Sequence, residues 1–168
     1  MAVKIKNGKA IERRIKKAVH DFKNNPKELK KSAATVQNEM RRNIRAGLQV
    51  NDTPMPLLSA ETINRRVDIV ELNTKSKYYS KFKSNATITG DFVRKLFAKP
   101  KGNKIIIEGL GTHKGYINSD GLIPIKSMVN ISDIVRGFAS RNVKLLGVTD
   151  NAKAKIKNQF IRFLRRKR

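Results

Sequence analysis

The sequence predicts an α+β fold in which long N-terminal helices and a C-terminal amphipathic helix pack on a small antiparallel sheet. Three observations predict it. Apolar residues recur at helical spacing toward both ends of the chain, three successive isoleucines follow a Gly-Asn turn after its middle, and proline, glycine or asparagine separates the patterns. At 168 residues the chain has the size of one domain, with residues 1–8 and 165–168 expected as flexible basic ends.

From Lys9 to Phe22, the residues Ile11, Ile15, Ala18, Val19 and Phe22 fall on one stripe with Arg13, Arg14, Lys16 and Lys17 between them, which predicts an amphipathic helix. Asn24, Asn25 and Pro26 interrupt it, because proline lacks the helical N–H and restrains the residue before it. A second stripe runs through Leu29, Ala33, Val36, Met40, Ile44 and Leu48. Arg41, Arg42 and Arg45 crowd its last turns, where cations suit the helix dipole, and Gly47, Asn51, Asp52 and Pro54 stop it. After the Pro54–Pro56 turn, Ser59 is placed to cap a short helix with Glu61 in its first turn and Ile63 and Val67 inward. Residues 73–87 show neither period and read as an extended loop ordered by a partner.

Ile88 to Lys99 reads as a short helix capped by Thr89, with Phe92, Val93, Leu96 and Phe97 on its apolar side. GNKIIIEG is the best strand in the sequence, and GYINSDGLIPI, turning through Asn118, Ser119, Asp120 and Gly121, is its expected antiparallel partner. Ile131 to Phe138 predicts a short helix with Ser132 or Asp133 near its start. The last helix begins at Thr149 or Asp150, buries Ile156, Phe160, Phe163 and Leu164, and ends in Arg165, Arg166, Lys167 and Arg168.

Lysine and arginine total 38 against 13 acids, a net charge of +25 that calls for an acidic partner. Nucleic acid is the first candidate and an acidic protein surface the second. A ring around a DNA channel would satisfy both. The excess is concentrated at the ends: residues 1–48 carry 14 bases and 4 acids, and residues 149–168 carry 8 bases and 1 acid. The absence of cysteine excludes disulfides and thiolate metal sites and gives no sign of an oxidising compartment, so synthesis in the cytoplasm is expected. The N-terminal stretch has no apolar run of signal length, and no segment approaches the ~18 apolar residues of a membrane span.

No constellation for catalysis emerges, and neither an enzyme activity nor a cofactor or metal is expected. Gly109, Gly111 and Gly115 follow a strand, but Lys114 stands where a dinucleotide fingerprint needs glycine, so a turn role is expected. His20 and His113 lack metal-ligand spacing. Asp91 and Glu108 are plausibly separated for a carboxylate pair, but Leu110 occupies the place of a nuclease lysine. Tyr78, Tyr79 and Phe82, interleaved with Lys75, Lys77, Lys81 and Lys83, are suited to stacking on bases or to docking on a neighbouring subunit, and docking is favoured. For Arg165, Arg166, Lys167 and Arg168, non-specific DNA contact and a solvated helix end stand level.

Three segments in this order resemble the virion-morphogenesis or tail-completion family of long-tailed bacteriophages. They are PLLSAETINRR (56–66), similar to the family's proline, leucine, serine, then threonine and basic helix; TGDFVRKL (89–96), similar to its TGxLxxS segment; and RNVKLLGVTDNAKAKIKNQFIRFL (141–164), similar to its arginine, LGxS and closing amphipathic helix. Phe92 replaces the usual leucine, Leu96 and Phe97 stand where the family tends to have serine and a β-branched residue, and the tyrosine and lysine loop looks like an insertion.

The resemblance implies an α+β subunit with a long helix, a small sheet and a C-terminal helix, assembled as a ring, often a hexamer, in the virion between head and tail. Its implied partners are further copies of itself, head connector or adaptor proteins, the tail terminator or tail tube, and packaged DNA by non-specific contact. It implies no membrane and passage through the host cytoplasm during assembly. On this reading Phe92, Val93, Leu96 and Phe97 support the core or an interface, and the terminal helix with Phe160 and Phe163 docks on a neighbour. A basic nucleic-acid-binding protein of DNA packaging or regulation, and a tail terminator, are the rival readings.

Overall fold

The computed structural model describes residues 8–57, 60, 91–114 and 128–166. The expectations for the helix after Ser59, the loop at 73–87, the cap at Thr89 and the strand at 115–125 lie outside these residues. Within them run α1 (Gly8–Lys23), α2 (Pro26–Ala46), the one-turn α3 (Asp91–Arg94), β1 (Leu96–Lys101), β2 (Lys104–Gly109), β3 (Thr112–Lys114), β4 (Met128–Asn130), α4 (Ile131–Ala139) and α5 (Asp150–Arg166). The strands form two antiparallel pairs, β1 with β2 and β3 with β4. With the helices packed on them, the fold is α+β.

Both ends of α2 are set by local chemistry. Asn25 Oδ1 accepts from the N–H groups of Lys27 at 3.0 Å and Glu28 at 3.2 Å, and Pro26 occupies the first turn, where its missing N–H costs nothing. At the other end Gly47 takes the left-handed conformation, φ 75°, so that its N–H reaches Ile44 O at 3.1 Å and Leu48 N–H reaches Asn43 O at 2.9 Å. A residue with a Cβ would strain this closure.

The stripe Leu29, Ala33, Val36, Met40 and Ile44 is buried along its whole length, which makes α2 the spine of the molecule. Met40 and Ile44 pack with Met55, Phe92, Val93, Leu96, Ile131, Val143 and Leu145. Fully burying each such side chain contributes about 1.5–3 kcal/mol. A smaller cluster joins Ala33 and Val36 to Ala98 and Ala152, with Ile105, Ile107 and Ile156 against it.

One sequence expectation needs correction here. The helix expected through Lys99 ends at Arg94, and Leu96–Lys101 is a strand. The isoleucine strand pairs with this segment, in the register Leu96↔Gly109 to Lys101↔Lys104. Pro100 cannot sit inside a helix, and the turn at Gly102, φ 59°, and Asn103 is short enough to fold 96–101 back on 104–109. Period-two alternation then buries Leu96 and Ala98 and turns Phe97 the other way.

The outer edge of β1 is covered by α2. Ala98 N–H donates to Gln37 Oε1 at 3.1 Å, and Arg41 Nη2 donates to Leu96 O at 2.8 Å and Arg94 O at 2.6 Å. These side chains satisfy main-chain groups that a bare edge strand would offer to another chain. The final helix starts as expected: buried Thr149 accepts from Ala152 N–H through its hydroxyl at 3.1 Å. Among the described residues no helix is long and apolar enough to cross a membrane.

Candidate functional site

Helices α2 and α5 lie antiparallel and are joined by two buried carboxylates. Glu28 and Glu39 are eleven residues apart on α2, and Lys155 and Arg166 are eleven apart on α5. Eleven residues make about three turns, or about 16 Å, so both pairs return to the same side of their helix. Glu28 meets Arg166 at 3.1 Å, and Glu39 meets Lys155. Each carboxylate also holds a cation from its own helix, Lys31 at 3.9 Å from Glu28 and Arg42 at 3.6 Å from Glu39.

The glutamates are only 3% and 5% exposed, while all four cations keep half or more of their side-chain surface in water. Burying a carboxylate this far is costly unless it is paired and hydrogen-bonded; Glu39 is bonded to Lys155 through Oε1, while its buried Oε2 has no hydrogen bond and only Arg42 at 3.6 Å. Gln159 completes the arrangement around Glu28. Its Nε2 donates to Glu28 Oε2 at 2.7 Å, and its Oε1 accepts from Ser32 Oγ at 3.2 Å. The Gln159 hydrogen bond, aided by Lys31 and Arg166 and opposed by burial, holds the Glu28 carboxyl below its ordinary pKa.

Above this joint is a shallow groove of about 490 Å³ lined by Lys31, Thr35, Lys155, Asn158, Arg162 and Arg166, with Ala34 as its small-residue floor. Lys31, Thr35, Asn38, Arg42 and Arg45 follow one another at steps of three and four along one side of α2, as do Asn151, Lys155, Asn158 and Arg162 on α5. Neither row contains an acid or a large apolar residue.

A surface of opposite character forms where α1 meets α5. Phe22 packs edge-on against Phe160 at 5.3 Å and Phe163 at 5.4 Å. Beside them is an apolar pocket of about 330 Å³ lined by Val19, Phe22, Leu29, Ile105, Ile156 and Phe160, with Lys23 and Lys157 at its margin. The stripe continues toward the start of α1 through Ile15 and Ile11, which are 50% and 47% exposed. Arg13, Arg14 and Lys17 project from the opposite side of the helix.

The structure separates the residues singled out from sequence. Phe92, Val93 and Leu96 are core residues, and Phe163 is buried in the chain's own packing instead of being free to dock. Phe97 turns away from the core, with Arg41 and Lys99 each 5.4 Å from its ring centre. Phe160 is half-buried in the apolar pocket. Arg165 and Arg166 belong to α5, and Arg166 is tied to Glu28, which corrects the expectation of a flexible end from residue 165. Lys75, Lys77, Tyr78, Tyr79, Lys81, Phe82, Lys83, Lys167 and Arg168 lie outside the described residues.

Glu28, Glu39, Lys155 and Gln159 escaped sequence reasoning. The only signal was the matching spacing of eleven residues in two helices 116 positions apart in their Glu39–Lys155 contact. Besides the two buried glutamates, Glu12 pairs with Lys16, Glu108 with Lys99, Asp133 with Arg136, Asp150 with Lys153, and Asp52 accepts from the Asn43 amide. Gly109 lies against Ile131 and Gly111 has φ 83°, so both glycines serve packing and chain reversal. His20 is hydrogen-bonded to Asn24 at 3.0 Å. Among the described residues no group of three or more His, Asp or Glu side chains is placed to hold a metal ion. No family model, curated protein or solved structure matches the chain.

Proposed function

We propose that the chain is a non-enzymatic structural protein of a tailed-phage virion, a ring-forming neck or tail-completion component that joins the head connector to the tail. The observation that carries this reading is the apolar band running from Ile11 and Ile15 into the pocket at Val19, Phe22 and Phe160. Contiguous apolar surface of this kind serves contact with another protein. The order of the three family-like segments supports the same reading, as does the combination of a long α2, a two-stranded hairpin and a closing α5.

The occupant we assign to the band is a neighbouring copy of the chain. With Arg13, Arg14 and Lys17 on the far side of α1, the Ile11–Ile15 end of one copy's band can enter the pocket of the next without forcing these cations together. A contact between the band of one copy and the pocket of the next is heterologous, and heterologous contacts that close by rotation make rings.

Sedimentation and native mass spectrometry of the purified full chain test this. A closed oligomer is expected for the wild type and its loss for Ile11→Ser with Ile15→Ser, at unchanged helical content. A wild-type chain that stays monomeric at about 100 µM, well above the μM dissociation constants common for interfaces of standard size, would sink the ring. Labelling of virions locates the chain: density between head and tail supports the neck assignment, density at the tail tube end makes it a terminator, and absence from virions removes the structural role.

A further inference from the structure

We infer that the outer face of the α2–α5 pair is a binding surface for the phosphate backbone of double-stranded DNA. This surface is distinct from the apolar band of α1 and does not depend on ring formation. It presents Lys31, Arg42 and Arg45 from α2 and Lys155, Arg162 and Arg166 from α5, interspersed with Thr35, Asn38, Asn151 and Asn158. Charged groups mixed with amide and hydroxyl donors are the side chains that hold phosphates.

The buried glutamates give this face its shape. Glu28 holds Arg166 by a hydrogen bond with Lys31 beside it at 3.9 Å, and Glu39 holds Lys155 with Arg42 beside it at 3.6 Å. Each glutamate thus gathers one cation from each helix; Lys31, Lys155 and Arg166 line the groove, and all four side chains keep half or more of their surface in water. Holding a flexible cation in position before binding lowers the ordering cost of binding. Arg162 stands between the two pairs, with no side-chain partner among the described residues, and lines the groove.

Dimensions and chemistry select the ligand. From Lys31 to Arg45 the α2 row extends about 21 Å. The same length of duplex axis carries about 12 phosphates, half of them on each strand, which the six cations match in number. No aromatic side chain stands in either row, so the face has no platform for the unstacked bases of a single strand. Neither row carries a carboxylate, so no fixed negative charge along the face opposes the approach of phosphates. A large apolar anchor, which an acidic protein partner would use, is also missing from the face.

The test is a salt series of fluorescence-anisotropy titrations of the full chain with a labelled 20-base-pair DNA duplex. The logarithm of affinity should fall with the logarithm of salt at a slope of about −4 or steeper. The triple variant Lys31→Gln, Arg42→Gln, Arg162→Gln leaves Arg166 and Gln159 on Glu28 and Lys155 on Glu39, so the helix pair stays joined. Circular dichroism checks that it does. The triple variant is expected to bind about tenfold or more weakly, with a slope shallower by two to three, roughly one per cation removed. A comparison variant, Arg13→Gln, Arg14→Gln, Lys17→Gln, is expected to lose less than about half of that slope change. Equal loss in the two variants, tighter binding of single strands or of duplex RNA, or displacement by polyglutamate as readily as by unlabelled duplex DNA would each overturn the inference.

Discussion

Gln159 of α5 spans the start of α2 by donating to both the carboxylate and the main-chain carbonyl of Glu28, at 2.7 and 2.9 Å. The side-chain amide thus closes a joint between residues 131 positions apart and also takes a hydrogen bond from Ser32. Replacing Gln159 with alanine removes three bonds and leaves Glu28 O and the carboxylate short of donors. The cost should be about 1–3 kcal/mol, seen as a lower urea midpoint with an unchanged m value. A midpoint within error of wild type would show that water replaces the amide without loss.

The same joint predicts acid sensitivity. The Glu28 carboxyl is held below its ordinary value of 4.5, chiefly by Gln159, so the unfolded chain binds its proton at a higher pH than the folded one. Its contribution is fully present above that value and is lost as the pH falls through the lower folded pKa. Thermal unfolding followed from about pH 7 to about pH 3 should show a decline that is smaller in Glu28→Gln, whose side chain does not titrate. An acid decline of equal size in both proteins would assign it to other carboxylates.

Two glycines should respond to alanine with opposite signs. A Cβ at Gly109 would collide with Ile131 Cγ2 and come within 3.2 Å of Leu96 Cδ2, both core side chains, so Gly109→Ala should destabilise by about 1–3 kcal/mol. Gly137 lies inside α4 with nothing near its missing Cβ, so Gly137→Ala should stabilise by about 0.4–1 kcal/mol through the unfolded chain's entropy. Melting temperatures of the two single variants decide this: a rise for Gly109→Ala would contradict the packing there, and a fall for Gly137→Ala would contradict the open space at α4.

Arg41 should resist conservative replacement. Its guanidinium donates to Leu96 O and Arg94 O at once while lying 5.4 Å from the Phe97 ring centre, and burial with the neighbouring Arg45 lowers its pKa. Lysine has one head group and no planar fork to make these contacts together. Arg41→Lys should therefore cost about 1–2 kcal/mol, and hydrogen exchange at the start of β1 should accelerate. Unchanged protection there would mean that α2 does not guard the strand edge.

Where a residue's behaviour depends on its near neighbours, the sequence is legible on its own. The stripe of α2 with its Asn25 and Gly47 ends, the Thr149 start of α5 and the isoleucine strand all follow from periodicity and capping, which act over a few residues. The segment 96–101 departs from expectation because Phe92, Val93, Leu96 and Phe97 also fit a helical stripe. One hairpin turn at Gly102 and the pairing with Ile105–Ile107 outweigh that pattern.

The candidate binding surfaces are less visible. The charge and the apolar stripe of α1 are properties of the sequence alone, and the charge is what predicts an acidic partner there. Only the tertiary structure decided that Phe163 is spent on Phe22, that Ile11 and Ile15 stay open, and that Glu28 and Glu39 turn inward to position cations from two helices. Spacing within a helix fixes which residues share a side. Which side faces water depends on antiparallel packing between segments more than a hundred residues apart, and no local rule encodes that.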